Sequence, residues 1–182
     1  RRAELSHLAH MSAKVNKFLP ETCCIIGNYY SLKGQHERAI SYFQRCLRTN
    51  SRFLSAWTLM GHEYVELKNT SAAVSSYRRA IAVSASDYRA WYGLGQTYEM
   101  LHLYQYALHY FRKATALRPS DPRMWCAVGN CLCKLGLTSD AILAYERAVG
   151  SRDHEGIAVK ELARLHRACG NTSDAATYFV HF

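Results

Sequence analysis

The three tryptophans of this chain stand at 57, 91 and 125, each 34 residues from the next. The sequence around them repeats as well. The stretch AWTLMGHEYVELKNTSAA at 56–73 is followed, one period later, by AWYGLGQTYEMLHLYQYA, with Trp, Gly, Tyr and Ala held in the same places. A period of this length suits one supersecondary unit that cannot bury its apolar face alone and must stack on copies of itself. The chain is therefore expected to be an array of helix–turn–helix units, each packed mainly on its sequence neighbours.

From Pro20 the frame divides into units 20–53, 54–87, 88–121, 122–155 and an incomplete fifth, 156–182. Residues 1–19 carry Leu5, Leu8, Ala9, Ser12 and Val15 at three- and four-residue spacing, which suits the second helix of a preceding unit ending near Pro20. Within each unit the fourth, seventh and eleventh columns fall on one face of a first helix. They hold Cys23, Trp57, Trp91, Trp125 and Val159, then Ile26, Met60, Leu94, Val128 and Leu162, then Tyr30, Tyr64, Tyr98, Leu132 and His166. The eighth column is small throughout (Gly27, Gly61, Gly95, Gly129, Ala163), as expected where a neighbouring helix crosses closely.

The second helix buries Ala39, Ala73, Ala107, Ala141 and Ala175, then Phe43, Tyr77, Phe111, Tyr145 and Phe179, then Cys46, Ala80, Ala114 and Ala148. Rings alternate with small residues, so each ring fills a notch. Gly34, Gly136 and Gly170 suit left-handed positions at helix C-termini, and Thr70, Thr138 and Thr172 suit N-caps. The 34-residue period is that of the tetratricopeptide repeat (TPR). The fold expected is an all-α solenoid, a right-handed superhelix of about five repeats, forming one array over residues 1–182.

Composition excludes several other readings. The chain is 49% hydrophobic with three prolines, a globular composition. Its seven cysteines (Cys23, Cys24, Cys46, Cys126, Cys131, Cys133, Cys169) are odd in number and form no CxxC pair, which points to a reducing compartment, nucleus or cytoplasm. A zinc site at Cys126, Cys131 and Cys133 is disfavoured, because residues two apart on a helix diverge by ~200°. No signal peptide opens the chain, and no apolar run approaches the ~18 residues of a membrane span. A start at Arg1 and a stop just short of a full unit suggest a piece of a longer protein.

The nine histidines are scattered, no phosphate loop occurs, and the 14 carboxylates form no evident pair, so catalysis, metals and cofactors are not expected. A solenoid instead offers a concave wall of first helices, on which the second, fifth, ninth, twelfth and thirteenth columns are the candidate binding positions. The ninth reads Asn28, His62, Gln96, Asn130 and Arg164, a ladder that suits an extended peptide because amides and imidazole both donate and accept. Beside it lie Glu21, Arg89 and Arg123, then Cys24, Thr58, Tyr92, Cys126 and Lys160, then Glu66, Glu99 and Lys134. The net charge of +9 concentrates on second helices, with Arg45, Arg79, Lys113 and Arg147 in one column supported by Arg48, Arg78 and Arg112. With no aromatic residues interleaved for base stacking, this ridge suits solvent or an acidic neighbouring subunit better than nucleic acid.

Three stretches carry a more specific likeness: TCCIIGNYYSLKG at 22–34, AWTLMGHEYVELKNTSAA at 56–73 and DYRAWYGLGQTYE at 87–99. Over roughly residues 4–125 the chain resembles the subunit-eight family of the anaphase-promoting complex (cyclosome), the cell-division-cycle 23 homologues, and after Trp125 it resembles TPR repeats in general. The resemblance implies a non-catalytic scaffold of a ubiquitin ligase that acts in the cell cycle. Its groove would receive the arginine-bearing C-box segment of coactivators. It would put the peptide on Asn28, His62, Tyr92, Gln96, Glu99 and Asn130, with Glu66, Arg89 and Arg123 as a secondary set and Glu66 and Glu99 as partners for arginine. Other subunits of the complex and small accessory subunits are further implied partners, and the family homodimer interface would lie N-terminal to this chain. The alternatives are a chaperone-type TPR adaptor that clamps a carboxylate, for which Cys24 stands where a lysine is required, and an RNA-binding helical-repeat protein.

Overall fold

The computed structural model describes residues 2–16, 18–151, 153 and 156–170. Among them are ten α-helices and no strand: α1 (Arg2–Asn16), α2 (Pro20–Leu32), α3 (His36–Thr49), α4 (Leu54–Glu66), α5 (Thr70–Val83), α6 (Tyr88–Met100), α7 (Tyr104–Leu117), α8 (Pro122–Lys134), α9 (Thr138–Gly150) and α10 (Ile157–Ala168). They group into two compact units, residues 1–97 and 98–182, with the division falling inside α6.

The repeat frame locates the helix boundaries. Pro20 and Pro122 open α2 and α8, where the missing N–H costs nothing. Gly34, Gly136 and Gly170 all take positive φ just past a helix end, as expected. Lys68 and His102 take the same left-handed conformation at the equivalent places in the second and third repeats, φ 57° and 58°, although neither is glycine. The expected threonine caps are not made. Thr70 is the first residue of α5, and its N-cap is Asn69, whose side chain accepts from the Ala72 N–H at 3.2 Å. Thr138 opens α9 after Leu137, which makes no side-chain cap. Thr172, Ala175 and Phe179 lie outside the described residues.

In the first unit α1 packs on α2, α2 on α3, α3 on α4 and α4 on α5, and the consecutive first helices α2 and α4 also touch. The buried columns are those expected. Ala39, Phe43, Cys46, Ala73, Tyr77 and Ala80 are sealed from solvent, as are Gly27, Gly61 and Gly95. The small column is explained by the rings facing it: a Cβ on Gly27 would meet Phe43 at 2.5 Å, and one on Gly61 would meet Tyr77 at 2.5 Å. Gly93, outside the small column, is equally tight, because a Cβ there would press on the same Tyr77 ring near its hydroxyl end. At the N-terminal end Ala9 is buried, whereas Leu8, expected on the same stripe, is exposed.

In the second unit α7 packs on α8, α8 on α9 and α9 on α10. Ala107, Phe111, Ala114, Ala141, Tyr145 and Ala148 are buried, and Gly129 faces Tyr145. The tryptophans are only half-buried, and their role is more specific than core filling. Trp57, Trp91 and Trp125 each donate the indole N–H at 2.8 Å to the carbonyl six residues earlier, at Ser51, Ala85 and Pro119, and so fasten each inter-repeat loop to the helix after it.

Candidate functional site

The first-helix face of the first unit carries the ladder residues Asn28, His62 and Gln96, of which Gln96 is exposed and the other two half-buried. Tyr92 lies one turn before Gln96 on α6 and is half-buried. The fifth column differs from expectation in the first two repeats. Cys24 and Thr58 are sealed, at 7% and 2% exposure, because their small side chains pack against the core (Cys24) or bond inward (Thr58), so neither is available to a ligand. Burial holds the Cys24 thiol up at about 11, so it stays protonated and unreactive at neutral pH.

Two buried carboxylates, missed in the sequence because their partners are far away along the chain, organise this unit. Glu63 accepts from Ser31 Oγ at 2.7 Å and lies 2.8 Å from His36 Nδ1, joining three helices. Asp87 accepts from Thr58 Oγ1 at 2.8 Å, and Arg89 Nε donates to its other oxygen at 2.9 Å. Arg89 is thereby committed to its own chain. Its side chain stays 49% exposed within that pair. Glu66 is exposed.

His62 is the most constrained ladder residue. Its Nδ1 lies 2.7 Å from the hydroxyl of Tyr77, which is fully buried, and the two rings meet edge to face at 5.5 Å. Burial lowers the imidazole pKa; Glu63 acts in the opposite sense and Arg89 in the same one. The ring is therefore neutral at pH 7.

In the second unit Asn130 Nδ2 donates to Glu99 Oε1 at 2.5 Å. Burial raises the Glu99 carboxyl above its ordinary range, while the Asn130 hydrogen bond and the Lys134 charge pull it back. Glu99 makes no ion pair among the described residues. Arg123, by contrast, donates through Nε and Nη2 to both oxygens of Asp121, so it too is already occupied. Cys126 and Cys133 are half-buried, and Cys133 bonds to the Tyr145 hydroxyl. No group of three or more metal-ligating side chains occurs among the described residues. No described helix is long and apolar enough to cross a membrane.

The basic column is exposed throughout at Arg45, Arg79, Lys113 and Arg147. Aromatic rings do lie beside it, contrary to expectation. Arg45 stands over Phe18 and Tyr42, and Arg147 lies 4.8 Å above the Trp125 ring. Trp125, Val128 and Leu132 floor a cavity of about 560 Å³ in the second unit, rimmed by Arg112 and Arg147. Each of these rings has a guanidinium near it, a cation–π contact within the chain that a stacking base would have to compete with.

Models of the tetratricopeptide repeat match residues 20–52, 58–122 and 101–156. Anaphase-promoting complex subunit 8 of Arabidopsis thaliana is 71% identical over 179 residues, 97% of this chain and 31% of that protein. The protein of the same name from Dictyostelium discoideum is 67% identical over 98% of this chain and 30% of its own length. The likeness thus continues well past Trp125, and the chain spans about a third of the curated relatives it matches. Among solved structures, YrrB, described as a TPR protein with an unusual peptide-binding site, superposes with a TM-score of 0.73 at 19% identity, covering 93% of this chain and 88% of YrrB. At that identity the likeness speaks for the fold alone. Repeat period, ten described helices and matching family models agree: the chain belongs to the tetratricopeptide repeat family and, over 97% of its length, is similar to anaphase-promoting complex subunit 8.

Proposed function

We propose that this chain is a non-catalytic TPR segment of an anaphase-promoting complex, a nuclear and cytoplasmic ubiquitin ligase of the cell cycle, and that its first-helix face receives the arginine-bearing C-box segment of a coactivator. Other subunits of the complex, small accessory subunits among them, are its further partners. The similarity to subunit 8 supports the assembly.

The observation that carries the groove reading is the distribution of charge on the first-helix face. Arg89 and Arg123 are neutralised by Asp87 and Asp121, and Glu63 is taken by Ser31 and His36. Glu99 keeps a half-buried carboxylate held by one amide and paired with no cation among the described residues, and Glu66 likewise has no ion-pair partner there. A face whose two arginines are paired, and whose half-buried carboxylate is held by an amide with Lys134 as its one charged neighbour, favours an incoming cation. Arginine fits best, because its fork can engage the carboxylate in a two-bond contact. The ladder amides of Asn28 and Gln96 would hold the segment's main chain.

Calorimetric titration of an arginine-bearing C-box peptide tests this. Glu99→Gln, which keeps the Asn130 hydrogen bond but removes the charge, is expected to weaken binding by ~2–5 kcal/mol, as for a truncated buried charge pair. Gln96→Ala weakens it less, and Arg79→Ala on the exposed ridge leaves it unchanged. Equal loss in the Arg79 and Glu99 variants would place the peptide elsewhere. A carboxylate-clamping adaptor would instead lose affinity on Arg89→Ala or Arg123→Ala, and tight, salt-resistant RNA binding would favour the nucleic-acid reading.

A further inference from the structure

The Tyr77 hydroxyl ends inside the protein, with the ring at 0% exposure against Gly61 and Gly93. A Cβ on Gly93 would come within 2.8 Å of the hydroxyl oxygen itself, so the missing side chain is what leaves room for the oxygen. Among the described residues the hydroxyl makes one hydrogen bond, to His62 Nδ1. That single contact settles who donates. If Nδ1 carried the proton, the buried Tyr77 O–H would have nowhere to place its own; if Nδ1 is bare, the O–H is satisfied. The imidazole is neutral, so its one proton must then lie on Nε2. A flip of the ring about its second torsion would turn a carbon toward the hydroxyl, so this orientation is locked as well.

We propose that His62 is a fixed hydrogen-bond donor of the first-helix face, presenting Nε2–H to a main-chain carbonyl of a bound extended segment, with Tyr77 as the positioning residue that sets its tautomer. The carbonyl as ligand rests on the groove reading above; the donor itself does not. Nε2 has no partner among the described residues, and although the ring is largely buried this nitrogen is not among the sealed polar atoms, so the N–H is open to an acceptor. The charged neighbours are Glu63, Asp87 and Glu66 against Arg89 alone, which disfavours an anionic acceptor and leaves a neutral carbonyl as the chemistry that fits. Asn28 and Gln96, the ladder residues on either side, can each rotate to donate or accept. His62 offers only a donor, which makes the second repeat the place where register is read.

Long-range ¹⁵N–¹H spectra of the histidine-labelled chain, with His62→Gln for assignment, test the donor directly. His62 is expected in the Nε2–H form, and Tyr77→Phe, which deletes only the hydroxyl, is expected to give a mixture of tautomers. Titration of the C-box peptide then tests the acceptor. His62→Leu and Tyr77→Phe should each weaken binding about three- to tenfold, the worth of one neutral hydrogen bond, while His62→Gln, which keeps a donor near the Nε2 position, stays within about twofold. Thermal unfolding of Tyr77→Phe is recorded alongside, so that lost binding is scored only in folded protein. A proton found on Nδ1, or identical spectra with and without the Tyr77 hydroxyl, overturns the donor. Equal binding by His62→Leu and the unaltered chain overturns its reading of a carbonyl, whereas a peptide that fails to bind the unaltered chain overturns the groove reading and leaves the spectra to decide the donor.

Discussion

The carboxylate of Glu63, on the second repeat, lies 2.8 Å from Nδ1 of His36 on the first and is 4% exposed. It also accepts from Ser31, so one buried charge fastens the two helices of the first repeat to the first helix of the second. A buried carboxylate is tolerated only while its hydrogen bonds are complete, and removing it leaves two donors without their acceptor. Glu63→Ala should therefore destabilise the chain by ~1–3 kcal/mol, and Glu63→Gln, which retains one acceptor oxygen, by less. Urea unfolding of the two variants measures the difference. Equal stabilities in all three proteins would show that the pair contributes nothing.

Gly61 and Tyr77 make a similar test of packing. An added methyl at Gly61 would lie 2.5 Å from the fully buried Tyr77 ring, which Gly93 also approaches closely. Gly61→Ala is expected to cost ~1–3 kcal/mol, the usual penalty of an overfilled core. A Tyr77→Leu background should absorb part of that cost, and a double-mutant cycle reads the coupling.

The left-handed turn positions respond in opposite directions. Gly136 has φ +77° with open space around it, so Gly136→Ala meets no clash and suffers only backbone strain, ~1–2 kcal/mol. Lys68 and His102 already bear that strain at φ 57° and 58°. Replacing Lys68 by glycine should raise thermal stability slightly, offset in part by the freer unfolded chain. A fall in stability for Lys68→Gly would mean that its side chain holds the turn in a way the backbone does not explain.

What the sequence displayed and what it hid follow from physical range. Columns such as Ala39, Phe43 and Cys46 were legible because burial on a helix recurs with the helical period, and 34 residues return each column to the same environment. The cap at Asn69 was hidden because Thr70 beside it satisfies the same composition rule. Lys68 was hidden because a strained conformation leaves no mark in residue type when the surrounding repeat enforces it. Glu63 and Asp87 read as ordinary helix-surface or turn carboxylates until the partners 27 to 32 residues away are brought against them. Of the candidate site, positions were legible and occupancy was not: Arg89 and Arg123 fall where expected, yet the aspartates two residues before them consume their charge.

Acid should separate His62 from Glu99. Burial lowers the folded pKa of His62, so below ~6.5 the unfolded chain binds a proton that the folded chain resists, and stability falls as pH drops through that point. Glu99 is shifted the other way: its raised pKa makes the folded chain take up a proton first, and stability gains as pH falls through the range just above ordinary carboxylate values. Denaturant midpoints between pH 7.5 and 5.5 should therefore decline less in His62→Gln than in the unaltered chain. Glu99→Gln should be at least as stable as the unaltered chain at pH 7, since it no longer buries a charge. A steeper decline in the first, or a loss in the second, contradicts these assignments.

The second-helix ring column runs Phe43, Tyr77, Phe111, Tyr145. The two phenylalanines stop at the core, while the two tyrosines carry a hydroxyl through it, to His62 in one repeat and to Cys133 in another. Successive repeats are thus alike in packing and unlike in wiring. Each of these contacts closes between the two helices of a single repeat, His62 with Tyr77 inside 54–87 and Cys133 with Tyr145 inside 122–155. A chain shortened by one whole 34-residue repeat would therefore lose or keep a hydroxyl together with its partner. The smallest interchangeable piece of this array is a single repeat, and each carries its own polar contact with it.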